Sequence, residues 1–162
     1  MKIIGFDPGT ARVGWAVVIY SKSSVTQLSY GCFTTPAHES EEVRLLAVFT
    51  DVSRLIKTEK PDIISIEEIF FSTNAKTAIP VSQARGVILL SCAVHTIPVV
   101  SYSPRTIKRA LTGDGNADKI QVQTMLMRLL KLKSIPKPDD AADAIAIALT
   151  HAYSSPLKNS YI

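Results

Sequence analysis

Before residue 35 the chain carries three strand-length apolar runs separated only by tight turns, and this spacing constrains the fold more than any other feature. Residues 2–7 (Lys-Ile-Ile-Gly-Phe-Asp) read as a short buried strand, Val13 to Tyr20 as a second and Gln27 to Thr34 as a third. Turns containing Gly, Pro or Ser cannot span the crossover that parallel neighbours require, so the three form an antiparallel meander. The pattern then changes period. Ser40 is placed to cap a helix with Glu41 and Glu42 in its first turn, and Leu45, Leu46, Phe49, Val52, Leu55 and Ile56 recur at helical spacing to about Thr58. Pro61 closes it, and Asp62 to Ile66 is a buried strand. After a polar loop around residues 72–74, a helix is expected over about 75–95, with Pro80 marking a break or kink. Pro98 to Tyr102 is a further strand. Pro104 opens a short helix to Leu111, Asp118 with Gln121 resembles a capping box for a helix to about Leu130, and a last helix runs from Asp140 to about Ala152.

Strands that alternate with helices lie parallel, so the later strands join the meander in one mixed α/β sheet of five strands flanked by helices. A chain of 162 residues, 46% hydrophobic and 20% charged, suits a single domain spanning 1–162 with a sizeable core. Cys32 and Cys92 sit in apolar surroundings without a CxxC or histidine pattern, which argues against a zinc site or disulfide framework and for a reducing cytoplasm. No apolar run approaches the ~20 residues of a membrane span, so no membrane partner is expected. The net charge of +4 is unevenly spread. Residues 101–138 hold eight Lys or Arg against two acids, whereas the rest holds ten bases and twelve acids. A basic segment within an otherwise acidic chain suits phosphate contacts, although a solvated helical face would look the same.

The chemistry rests on carboxylates. Asp7 ends the first strand before Pro8-Gly9, where it could simply form the turn. Glu67 ends the run Ile63-Ile64-Ser65-Ile66, where an ionised group costs several kcal/mol unless paired or bound to a cation. Glu68 is next to it, but successive strand residues face opposite ways, and Glu67 is favoured for the site. Asp139, Asp140 and Asp143 cluster at the last helix start. Asp139 suits the N-cap position, and Asp140 and Asp143 share a face one turn apart; an acidic first turn would also stabilise a helix by itself. Functional groups in open sheets with parallel strands gather at the strands' carboxyl ends, where Asp7 and Glu67 both stand. Several carboxylates in one cleft repel unless protonated or neutralised, and an oxygen-only donor set selects magnesium or manganese. Of the histidines, His38 falls in a loop and His95 and His151 near helix ends, all three expected at the surface.

The ordered series Gly5-Phe6-Asp7-Pro8-Gly9, Ile66-Glu67, Phe70, Asn74-Ala75, Gln83-Ala84-Arg85-Gly86-Val87, Lys119 with Gln121-Val122, and Asp140-Ala141-Ala142-Asp143-Ala144 resembles the RuvC family of Holliday junction resolvases nearly end to end. The resemblance implies a ribonuclease H-like fold and a homodimer that nicks opposing strands of a four-way DNA junction in the bacterial cytoplasm. It implies that Asp7, Glu67, Asp140 and Asp143 form a catalytic set binding Mg2+, with Mn2+ as substitute and two ions per site. It implies that Phe70 stacks on DNA near the cut, that Lys108 and Lys119 contact the phosphate backbone, and that a RuvA-RuvB branch-migration complex is a partner. The match to Asp-Ala-Ala-Asp selects Asp140 over Asp139, while Glu68 replaces a more usual uncharged residue. The apolar helix bearing Gln83-Ala84-Arg85-Gly86 is the expected dimer face.

Three other readings compete. Gly5 to Thr10 also resembles the first phosphate loop of actin-like ATPases and sugar kinases, but that fold needs a second half this length cannot supply. A ribonuclease H-like nuclease acting in RNA processing would present the same carboxylates. A non-catalytic junction binder would gain by losing acids near phosphates, and this chain keeps them.

Overall fold

Five strands form one sheet in the order β3-β2-β1-β4-β5 in the computed structural model, which describes residues 1–69 and 75–154. β1 (Lys2–Asp7), β2 (Arg12–Ser21) and β3 (Ser24–Thr34) pair antiparallel, and β4 (Ile63–Glu67) joins β1 in parallel with β5 (Val99–Tyr102) beyond it. The expected meander and the parallel addition are both present.

Alternation along each strand sorts the side chains into two cores. Ile4, Phe6, Val13, Val17, Ile64 and Ile66 face α1 (Glu41–Glu59) and α2 (Ala75–Val94), which contribute Val48, Val52, Ile56, Ile88 and Cys92. Ile3, Ala16, Val18 and Tyr20 face the other way, against α3 (Pro104–Thr112), α4 (Lys119–Leu130) and α5 (Asp139–Ser154). α2 continues through Pro80. Ser40 has the extended backbone of an N-cap but makes no capping bond. Capping is complete at the two helices of the basic segment. The Ser103 hydroxyl accepts from the Thr106 amide at 3.2 Å, and Asp118 and Gln121 form a reciprocal capping box that fixes where α4 begins.

α5 decides where the acids go. Every residue from Ala141 to Ala152 is buried except Asp143. Six of those buried residues are alanines, and the sheet meets them with glycines. A Cβ at Gly5 would overlap the Ala144 carbonyl and the Ala148 Cβ, and one at Gly14 would overlap the main chain of Asp140. The Ser65 hydroxyl donates to the Ile147 carbonyl at 3.2 Å, tying the same helix to β4. A backbone this close to a sheet is possible only with small residues on both sides.

Replacing Gly5 with valine should therefore push α5 off the sheet. Overpacking at a site with no free volume costs about 1–3 kcal/mol, or roughly 3–10 °C in a domain of this size. Thermal unfolding followed by circular dichroism checks this; a Gly5→Val variant melting with the wild type would show that α5 is not held by that contact.

Candidate active site

Strand parity places two of the acids. In β1, Ile3 and Gly5 face α5, so Asp7 does too; in β4, Ile63 and Ser65 face α5, so Glu67 does. Phe6 pairs with Ile66 across the parallel ladder, which sets Asp7 and Glu67 side by side at the carboxyl ends of adjacent strands. Glu68 lies beyond the end of β4 and is exposed. The third and fourth acids arrive on α5. Asp7 pairs with Gly14, and Gly14 lies against the main chain of Asp140, so close helix docking brings the first turn of α5 beside Asp7.

The electrostatics show that the four acids share one field. Burial and then the charges of Asp143, Glu67 and Asp140 push the Asp7 carboxyl up to about 8. Burial and Asp143 push Glu67 up to about 7, against the pull of Lys108. Asp143 is raised as well, chiefly by burial, with Lys119 opposing. Protons leaving such a cluster belong to the group rather than to single residues.

Lysines line the mouth. Glu67, Asp143, Lys108 and Lys119 border a cleft of about 230 Å³ walled by Pro104, Ile107, Val122, Ala146 and Ile147. Lys119, at the first position of α4, reaches Asp139 at 3.2 Å and Asp143 at 3.6 Å. Asp139 is not an N-cap but the first residue of α5, and its other oxygen accepts from Lys137 at 3.0 Å. Arg12 lies 3.7 Å from Asp140 across the opposite rim. Of the eight bases in the basic segment, only Lys108 and Lys119 line this cleft; Lys131 lies at the far end of α4, ~18 Å away along the helix.

Sequence reading missed Arg12, Lys137 and the pairing role of Asp139, for which no local pattern gives a signal. His151 is buried, not superficial, and its Nδ1 meets the Tyr102 hydroxyl at 2.8 Å. His95 is half-buried. Phe70 and its neighbour Phe71, with the polar loop at 72–74, lie outside the described residues. Both cysteines are free, Cys92 buried and Cys32 half-buried. Among the described residues no helix is long and apolar enough to cross a membrane.

Sheet order, helix placement and the acidic cleft at the strand ends define a ribonuclease H-like fold. The crystal structure of the yeast mitochondrial Holliday junction resolvase shares it at TM-score 0.66 and 14% identity, covering 93% of this chain and 78% of that one. Closer likenesses go further than the fold. The family model for crossover junction endodeoxyribonuclease RuvC matches residues 3–151. The protein of that name from Clostridioides difficile is 45% identical over 160 residues, 99% of this chain and 95% of that protein, and the one from Roseiflexus sp. is 46% identical over 156 residues. Thermus thermophilus RuvC, solved alone and in complex with Holliday junction substrate, superposes at TM-score 0.87 with 33% identity over 94% of this chain. The chain belongs to the RuvC family of crossover junction endodeoxyribonucleases.

Because the folded-state value of Asp7, about 8, stands above its ordinary 3.8, the protonated form favours folding. That contribution is whole below about pH 4 and is lost as pH climbs through 8. In EDTA the wild-type Tm should fall by roughly 5 °C or more from about pH 5 to pH 8, and Asp7→Asn, which cannot ionise, should fall less. Equal losses in the two proteins would detach Asp7 from the cluster.

Proposed function

We propose that this chain, acting as one domain in each half of a homodimer in the bacterial cytoplasm, resolves four-way DNA junctions by metal-dependent hydrolysis of phosphodiesters in two opposing strands. The observation that carries the reading is the convergence of Asp7, Glu67, Asp140 and Asp143 on one face at the sheet's carboxyl edge, flanked by Lys108 and Lys119. Family membership supports the substrate: the Thermus thermophilus relative is solved with a Holliday junction.

The donor set fits a hard divalent cation. It is all carboxylate oxygen, it is half-buried, and burial and then the neighbouring carboxylates push Asp7 up to about 8 and Glu67 up to about 7. Among the described residues no three acids already close around one point. Asp7, Glu67, Asp140 and Asp143 would hold magnesium, with manganese able to substitute. Two such ions would supply water activation and charge neutralisation for an in-line displacement at phosphorus. Lys108 and Lys119 contribute fixed positive charge at the mouth, where a backbone phosphate must approach. Phe70 serves in this reading as a stacking ring at the cut, worth about 1–3 kcal/mol against an unpaired base.

A dimer is supported by the outer face of α2. Ile79, Leu90 and Val94 are 65%, 56% and 59% exposed, and Gly86 between them faces open space. Residues 79, 83, 86, 90 and 94 fall on one stripe at spacings of three and four, with the glycine where a second helix can approach closely. A four-way junction has approximate two-fold symmetry, and an isologous pair presents two identical clefts to it. Sedimentation at the monomer mass would remove this feature. A branch-migration motor of the RuvA-RuvB kind completes the proposed setting.

Labelled junction, duplex and RNA–DNA hybrid, each with magnesium and with EDTA, give the deciding assay. Paired symmetric nicks on the junction alone, absent with EDTA, are expected. Cutting of the hybrid but not the junction would move the function to RNA processing. Asp7→Asn should reduce cutting by at least about a thousandfold while junction binding holds or tightens, since it removes charge beside phosphates. Binding lost in step with cutting would count against the assignment.

Lys119→Ala should weaken junction binding and lower the salt slope by about one. An unchanged slope would confine Lys119 to its ion pairs with Asp139 and Asp143.

A further inference from the structure

The segment Gln83-Ala84-Arg85-Gly86 carries one charged side chain that neither the acidic cleft nor the outer stripe of α2 uses. Arg85 points from α2 across the end of the sheet. Its Nε donates to the main-chain carbonyl of Glu67 at 3.0 Å, and one Nη donates to the Ser101 hydroxyl at 2.8 Å. The guanidinium is half-buried, and among the described residues it has no carboxylate within ion-pair distance. Placing a charge there without an acid is costly, so the two bonds must do something an apolar residue could not.

Their position says what. Glu67 is the last residue of β4, held on one side by the Glu68 amide's bond to the Tyr102 carbonyl at 2.9 Å and by the final ladder pair with Tyr102. Beyond it the chain leaves the sheet. Ser101 belongs to β5 and pairs with Ile66. Arg85 therefore ties the ends of β4 and β5 together from the face opposite α5, with a planar fork that fixes orientation as well as distance. The cation that offsets the Glu67 carboxylate is Lys108, on the α5 face. The guanidinium grips the main chain of Glu67 and leaves its side chain free for the cleft.

We infer that Arg85 is a positioning residue: through the Glu67 carbonyl and Ser101 it sets the angle at which the Glu67 carboxylate enters the cation site. This rests on the reading of Glu67 as a metal ligand. Loss of groups that orient a metal's ligands costs about 10–100-fold in metal affinity or activity, without touching the metal.

The test is titration of the full-length protein with Mn2+ alone, followed by electron paramagnetic resonance of the free ion, beside junction binding in EDTA and thermal unfolding. Arg85→Gln should weaken Mn2+ binding by about tenfold or more and lower kcat with KM for the junction changed by less than about threefold. Ser101→Ala, which removes one bond of the two, should show a smaller loss of the same kind, and Arg85→Lys should recover part of it. These two milder variants keep the inference testable if Arg85→Gln folds poorly. Weaker junction binding in EDTA with Mn2+ affinity unchanged would make Arg85 a DNA contact instead. A fall in Tm alone, with Mn2+ affinity unchanged in all three variants, would leave it a structural strut. Glu67→Gln is the control: unchanged Mn2+ affinity there would overturn the ligand reading itself, whereas a loss there without one in Arg85→Gln would overturn only the positioning role.

Discussion

The close contact between α5 and the first two strands is the constraint on which the rest depends. Gly5 and Gly14 on the sheet and a run of alanines on the helix let two backbones approach to van der Waals distance. A single larger side chain at either glycine would displace the helix outward by the thickness of a methyl group. Because Asp140 and Asp143 ride in the first turn of that helix, such a shift would carry them away from Asp7. Packing and chemistry are thus set by the same contact, and the small residues are needed for position as much as for stability.

What that contact assembles is electrostatically uncomfortable. Burial and neighbouring carboxylates push Asp7 and Glu67 well above the usual carboxylate range, and Lys108, Lys119 and Arg12 stand at the margins of the acidic group. None of these cations sits at the centre. Charge repulsion of this kind in a free protein is relieved when positive charge enters.

Support for the cleft comes from both sides of the sheet. On the α5 face, the capping box of α4 and the Ser103 cap of α3 fix the starts of the helices that carry Lys119 and Lys108. On the α2 face, Arg85 reaches the main chain of Glu67 from behind. The same helix carries the exposed stripe through Gly86, so one element borders both the carboxylate end of the sheet and that apolar outer face.

Local chemistry determined what could be seen in the sequence. The alternation of strand residues separated Glu67 from Glu68, and the change to helical spacing after Ser40 separated meander from parallel strands. The capping box at Asp118 was legible because its two bonds lie within three residues. Other features were not legible, because they depend on residues far apart in the chain. That Asp139 pairs with Lys119 rather than capping its helix and that His151 turns inward to Tyr102 were decided by where elements came to rest. The sequence by itself determined the antiparallel meander, the parallel strands that follow it and the family resemblance; the tertiary structure alone decided that Gly5 and Gly14 let α5 descend close enough to bring its first turn beside Asp7, because a close approach is a property of two surfaces and neither surface records it alone.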